Sequence, residues 1–177
     1  MTHPNIPTPE QCEQLLASCN TPEKTVKHSR IVRDVARRIG RDLKWLRDRG
    51  PNLALITAAA LLHDIAKGQP EHASAGAEIV RKQGYGEVAD IIAAHNNIEY
   101  SGELPVTEKE IVFIADKLVK GEQMVTVVYM FDHKIKSCTD ARLLSQLKHS
   151  KENALRIKTS IEQETGKNLE ELAIAEE

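Results

Sequence analysis

Apolar residues recur at three- and four-residue spacings along most of the chain, the period of helices that bury one face. Val26, Ile31, Val32, Val35, Ala36 and Ile39 form one such stripe, opened by Thr21-Pro22 as an N-cap and first-turn pair. The stripe continues past Gly40, a candidate kink, through Leu43 and Leu46 until Gly50-Pro51 stops it. Upstream, Thr8-Pro9-Glu10-Gln11 has the form of a capping box with Pro at N1 and predicts a short helix to about Ser18. Asn52 caps the most apolar segment, predicted helical from Leu53 to Ala66; being apolar almost all round, it belongs at the centre. Gly68-Gln69-Pro70 closes it.

Further helices are predicted over His72–Gln83, ended by Gly84, and from Glu87 to about His95, before a polar loop from Asn96 to Val106. Thr107-x-x-Glu110 is a second capping box, opening a helix that runs through at least Lys120. Gly121 either ends that helix or sits inside a longer one reaching Phe131. His133, Lys134 and Lys136 read as a short basic connector to a long amphipathic helix, Asp140 to Thr165, stopped by Gly166. Glu170 to Glu177 reads as a charged, frayed end. No stretch shows sustained strand alternation, although the β-branched residues of Met124 to Phe131 come nearest. The expectation is an all-α, single-domain helical bundle with an extra long C-terminal helix. No internal repeat, Gly-rich phosphate loop or nucleophile elbow stands in the sequence.

A chain of 177 residues suits one domain with one core. Aromatic residues are only 3%, so Leu, Ile, Val and Ala must fill that core, and Trp45, between Arg41 and Arg49 at helical spacing, reads as a half-buried anchor. The 24 basic and 26 acidic residues balance to a net charge of -2, which gives no electrostatic case for duplex nucleic acid or an anionic membrane as partner. A nucleotide, needing only a few local cations, stays compatible. The longest nearly apolar run, Leu53 to Leu62, is far shorter than the roughly 20 residues that span a bilayer. Met1 to Pro9 holds three prolines and no apolar core, unlike a signal peptide, so the expected location is cytoplasmic. Cys12, Cys19 and Cys138 form no Cys-x-x-Cys. On one helix Cys12 and Cys19 lie about 10 Å apart, too far to bridge, so free thiols are expected.

Polar groups on apolar faces carry the chemistry. His63-Asp64 follows the most apolar helix; Asp116 stacks with Val112 and Val119 inside an apolar run; His28 shares a face with Ile31, Val32 and Val35. Burying an unpaired carboxylate costs several kcal/mol or more, and metal coordination is one way to offset it. Mixed imidazole and carboxylate donors suit Fe, Mn, Zn or Mg without choosing among them.

An adjacent His-Asp pair, with a His upstream and an Asp downstream in this order, resembles the HD superfamily of metal-dependent phosphohydrolases. His63-Asp64-Ile65-Ala66-Lys67 matches its His-Asp-x-x-Lys form, and Ile114-Ala115-Asp116-Lys117-Leu118 its last helix. The resemblance covers roughly Thr21 to Met130. It implies an HD-type core over residues 21–131, preceded by a tail and short helix (1–20) and followed by a helical extension (132–177). It implies that His28, His63, Asp64 and Asp116 ligate a divalent metal, with Fe, Mn, Mg, Zn, Co and Ni all open. His72 and His95 resemble the extra ligands of the two-metal branch, in which Asp64 bridges the ions, so one or two ions are expected. The resemblance also implies hydrolysis of a phosphate ester or anhydride of a small molecule, a nucleotide above all, with the metal activating the attacking water. Asp64 and Lys67 would act directly, Lys67 pointing its ammonium at the phosphate; Lys117 and Lys120 are weaker candidates, Lys117 with a solvent-facing alternative. Asn96 and Gly84-Tyr85-Gly86 depart from the cyclic dinucleotide phosphodiesterases, which have a second His and a Gly-Tyr-Pro. Spacing is nearer the diadenosine tetraphosphate hydrolases, but His95-Asn96-Asn97-Ile98 stands where those have His-Thr-x-Gly. The rival readings are a non-catalytic HD-type nucleotide-binding or regulatory module, and a helical interaction domain in which Asp140 to Thr165 mediates homodimerisation or covers the pocket.

Overall fold

A computed structural model describes residues 5–175, and these form an all-α fold. His3 and the last two glutamates lie outside the described residues. In chain order the helices are α1 (Pro9–Ser18), α2 (Glu23–Leu46), α3 (Leu53–Leu62), α4 (His72–Lys82), α5 (Gly86–Ala94), α6 (Glu108–Lys117), α7 (Val127–Ser137), α8 (Ala141–Thr165) and α9 (Leu169–Ile174). Between α6 and α7 sits a small antiparallel hairpin, β1 (Val119–Lys120) with β2 (Gln123–Met124).

α1 starts as its capping box dictates: the Thr8 N–H donates to Gln11 Oε1 at 2.8 Å and the Gln11 N–H to Thr8 Oγ1 at 3.3 Å. α2 departs by one residue from its expected start. Pro22 is its N-cap, and the Thr21 hydroxyl donates instead to the Ile65 carbonyl, tying the start of α2 to the segment after α3. Gly40 has a packing role. A Cβ there would sit 2.7 Å from Ile56 Cδ1 and 3.1 Å from Leu53 Cδ2, so the missing side chain lets α3 lie directly on α2.

Asn52 caps α3 through the N–H groups of Ala54 and Leu55, but the helix ends at Leu62, not Ala66. His63 to Gly68 form turns joined by short-range bonds such as Ile65 N–H to Leu62 O and Lys67 N–H to Asp64 O. The tighter winding carries His63 and Asp64 off the helix end. α6 likewise stops at Lys117 instead of running to Lys120, because the chain turns through Gly121 at φ 62, a left-handed angle suited to a hairpin. The expected basic connector is the second half of α7, and the expected frayed end overlaps α9, which buries Leu169, Leu172 and Ala173. Trp45 is no anchor: it is 92% exposed.

One hydrophobic cluster joins α1 (Cys12, Leu16), the α2 stripe, most of α3, the inner faces of α4 to α6, and Ile157 and Ile161 of α8. α3 and α6 are buried on nearly every side, so polar residues at their C-terminal ends meet inside the protein. No helix among the described residues is long and apolar enough to cross a membrane.

Candidate metal centre

Six residues from five segments converge in a row: His28 from α2, His63 and Asp64 after α3, His72 at the start of α4, His95 at the end of α5, and Asp116 in α6. Neighbouring rings nearly touch, with centroids 5.4 Å apart for His28 and His63, 5.1 Å for His63 and His95, and 5.3 Å for His95 and His72. The carboxylates thread between them. Asp116 Oδ1 is 3.1 Å from His28 Nε2 and 3.4 Å from His63 Nε2. Asp64 places Oδ2 3.5 Å from His63 Nε2, and Oδ1 3.3 Å from His72 Nε2 and 3.5 Å from His95 Nε2.

Backbone carbonyls set the direction of three of the rings. His28 Nδ1 is 2.8 Å from Gly121 O, His63 Nδ1 is 2.8 Å from Ala60 O, and His95 Nδ1 is 2.6 Å from Ile92 O. A carbonyl oxygen only accepts, so Nδ1 carries the proton in each. In the neutral ring Nε2 is then a bare lone pair, and all three point at the carboxylates. The hairpin turn thereby has a task, since Gly121 supplies the carbonyl that orients His28.

Two of these nitrogens test whether the site suits a cation. His63 Nε2 and His95 Nε2 are buried and have no hydrogen-bond partner among the described residues, their carboxylate contacts being too long or poorly directed. A buried polar atom left unpaired costs about 1–3 kcal/mol. Two groups have donor atoms close enough to share an ion: His28, His63 and Asp64, and Asp64, His72 and His95. Asp64 belongs to both, and Asp116 flanks the first. The donor set and the orphaned nitrogens fit one or two divalent metals.

Both carboxylates and His95 are held in the form a metal takes, whereas His63 is drawn the other way by the same carboxylates. Burial pushes the Asp64 carboxyl up, but His72, His95 and His63 outweigh it and hold it below the usual carboxylate range. Burial also opposes ionisation of Asp116; Lys117, His28 and His63 prevail and keep it well below its ordinary value. For His63, burial works downward while Asp116 and Asp64 lift the imidazole above its normal value. Burial holds the His95 imidazole down, favouring the neutral, ligand-ready ring despite Asp64.

Lysines complete the surroundings. Lys67 Nζ lies 3.0 Å from Asp64 Oδ2, one turn on, with its side chain half exposed. Lys117, read from sequence as weakly placed and with a solvent-facing alternative, is buried: its ammonium donates to Asp116 Oδ2 at 2.7 Å and to His95 O at 3.2 Å and sits 5.0 Å from the Phe113 ring centre. Lys134 was assigned only to a connector. It keeps solvent contact, yet surrounding protein and the cations Lys117 and Lys67 push its ammonium down, against Asp116 and Asp64. Asn96 is a second unforeseen neighbour, its side-chain amide 3.1 Å from His72 Nε2. A cleft of about 500 Å³ opens onto the row, lined by Lys24, Thr25, His28, Asp64, Lys67, Lys120 and the hairpin turn.

Comparisons with known proteins point the same way for the family. The HD domain family matches residues 25–121, which include all six convergent residues. Two curated relatives are named tRNA (cytidine(56)-2'-O)-methyltransferase. That of Picrophilus torridus is 30% identical over 156 residues, 78% of this chain and 44% of the relative. That of Thermoplasma volcanium is 28% identical over 145 residues, 72% of this chain and 41% of the relative. The chain thus spans less than half the length of the curated relatives it matches. No solved structure gives a significant match.

Proposed function

The chain belongs to the HD domain family, and from that premise we propose that it is a metal-dependent phosphohydrolase cleaving a phosphate ester or anhydride, with a nucleotide as substrate. One observation carries the reading. Four histidines and two aspartates share one row, with two lone-pair nitrogens buried and unpartnered and Asp64 common to both donor groups. His28, His63, Asp64 and Asp116 would hold one ion; Asp64, His72 and His95 would hold the second. Bound there, divalent metal supplies a water of lowered pKa and neutralises phosphoryl oxygens.

The chain's own residues do the rest. The carbonyls of Gly121, Ala60 and Ile92 fix the ring orientations, so donor geometry is set before substrate arrives. Lys67 stands at the mouth beside Asp64 and neutralises a phosphate oxygen entering the cleft, while Lys120 and Lys24 add positive charge at its rim. Lys117 holds the Asp116 carboxylate ionised from behind. A half-open cleft of this volume suits a small phosphate compound.

Within the family, the order from His72 to Asp116 favours the two-metal branch and makes dinucleoside polyphosphates one substrate candidate. The curated relatives, named for tRNA, add nucleotides derived from RNA. A His/Asp row is chemistry for a cation and a phosphate, and for this segment it supports hydrolysis over methyl transfer.

The test is to purify the chain, measure bound metal by mass spectrometry, and assay a nucleotide panel with added Mn, Fe, Mg, Co or Ni. We expect metal in the wild type, hydrolysis of at least one compound, and loss of both in Asp64→Ala. Metal and nucleotide binding without turnover would favour a regulatory module. A metal-free protein whose stability ignores chelators would remove the reading altogether.

A further inference from the structure

The face of α7 next to the cleft carries an aromatic pair that the metal centre does not use. Tyr129 and His133, one turn apart, stack with ring centres 5.8 Å apart and planes 14° from parallel. Tyr129 is 49% exposed and His133 is exposed as well, so both rings keep contact with solvent. Neither residue belongs to the hydrophobic cluster of the core.

Its position matters. The depression beside it is lined by Lys120, Gly121, Gln123, Val125, Thr126 and Tyr129. Lys120, Gly121 and Gln123 also line the cleft that holds His28, Asp64 and Lys67. The hairpin turn is therefore a shared wall with phosphate chemistry on one side and a stacking surface on the other. Lys120 links the two. Its ammonium rests 5.3 Å from the Tyr129 ring centre, a weak hold at an exposed site, and a phosphate at the rim can recruit it. Around the cleft Lys24, Lys67 and Lys120 outnumber Asp64 and Glu122, an excess of positive charge that complements an anion.

We propose that Tyr129 and His133 form a base-stacking platform, so that the substrate is a nucleotide whose base lies on the pair while its phosphate crosses the turn at Lys120 and Gly121 into the metal cleft. This assignment rests on the phosphohydrolase reading and gives the base of its nucleotide substrate a binding site. Stacking on an aromatic side chain tolerates any base, because every base has a π face. The platform thus selects nucleotides over other phosphates without selecting one base.

The experiment titrates the four nucleoside 5'-monophosphates and ribose 5-phosphate into the Mn-loaded chain by calorimetry, for wild type, Tyr129→Ala and Tyr129→Phe. Tyr129 is half exposed, and thermal unfolding of each variant checks its fold. At least one nucleotide is expected to bind tenfold or more above ribose 5-phosphate. That ratio should fall at least about 5-fold, towards one, in Tyr129→Ala and return in Tyr129→Phe. A wild type that prefers no nucleotide over ribose 5-phosphate, or a ratio unchanged in Tyr129→Ala, overturns the platform. Hydrolysis measured alongside separates the two claims. Turnover with an unchanged ratio removes the platform alone; a Tyr129-dependent ratio without turnover removes the hydrolase alone.

Discussion

Replacing Lys117 by Met isolates the charge that balances Asp116. The ammonium lies 2.7 Å from Asp116 Oδ2, and the two side chains are 5% and 16% exposed. Met keeps the aliphatic stem against Phe113 and removes only the cation. Breaking a buried pair by deleting one partner costs about 3–5 kcal/mol. Asp116 keeps some solvent contact and two imidazoles, His28 at 3.1 Å and His63 at 3.4 Å, which places the loss at the low end, about 3 kcal/mol. For a chain of this length, each kcal/mol moves the midpoint by about 2–4 °C, so Tm should fall by about 6–12 °C. The assay is thermal unfolding by circular dichroism, in EDTA and in excess Mn²⁺. A cation seated against Asp116 replaces the missing positive charge, so the deficit in Mn²⁺ should be smaller than in EDTA. A deficit under about 1 kcal/mol in EDTA would refute the electrostatic argument, because an unbalanced buried carboxylate costs more than that. Equal deficits in the two media, with Mn²⁺ stabilising the wild type, would place the cation away from Asp116.

The other predictions concern the frame around the site. Burial, aided by Glu13 and Glu10, pushes the Cys12 thiol from 9.0 up to about 12. The folded chain therefore keeps a proton that the unfolded chain sheds near pH 9. This contribution is complete below pH 9 and falls by about 1.4 kcal/mol per unit as pH rises towards 12. Urea midpoints between pH 8 and 11 should decline more gently in Cys12→Ala; parallel declines would show that the thiol ionises freely in the folded chain. At Gly40, an added Cβ meets only side-chain tips, 2.7 Å from Ile56 Cδ1 and 3.1 Å from Leu53 Cδ2. Gly40→Ala should stay within about 1 kcal/mol of wild type, because a gain in helix propensity offsets the crowding. Gly40→Leu should lose about 1–3 kcal/mol or more from overpacking, and a fully stable Leu variant would contradict the close approach of α2 and α3.

Where pattern and local chemistry agreed, the fold was legible. Thr8-Pro9 opens α1 where a capping box should, Asn52 caps α3, and Gly166 at φ 68 stops α8. Boundaries failed where burial continues past the helix. Ile65 and Ala66 are 3% and 2% exposed although they lie in turns, so apolar periodicity carried α3 four residues too far. The same ambiguity ran α6 into the hairpin: Val119 is buried like the helix before it, and only the backbone angle at Gly121 marks the change of path. Trp45 fails in the opposite sense. Arg41 and Arg49 at helical spacing argued for a half-buried anchor, but Trp45 lies at the outer end of α2, beyond the last buried residue of that helix, Leu43.

His28, His63, Asp64 and Asp116 were readable as polar groups on apolar faces, and His72 and His95 because their order in the chain follows a known family. What the pattern hid is the layer around them. Lys117 follows Asp116 directly, and on a one-sided amphipathic helix the next residue turns about 100° away from the core. That rule makes Lys117 a surface residue. It fails here because Glu110 through Ala115 are all buried, leaving α6 without a solvent face at that end, and the ammonium must find partners inside. Its partners are a site carboxylate and the carbonyl of a site histidine, so a residue discounted by periodicity becomes part of the electrostatic balance. Gly121 was invisible for another reason. It orients His28 through a carbonyl oxygen, which every residue type has, and no side-chain pattern reports it. Lys134, Tyr129 and His133 depend on α7 turning back beside the cleft, and that turn follows from a hairpin where the sequence pattern offered only a helix end at Gly121 or a longer helix. The unresolved choice at Gly121 thus concealed one whole side of the site, while the six side chains still converge, although His63 and Asp64 lie in turns that the pattern had assigned to α3.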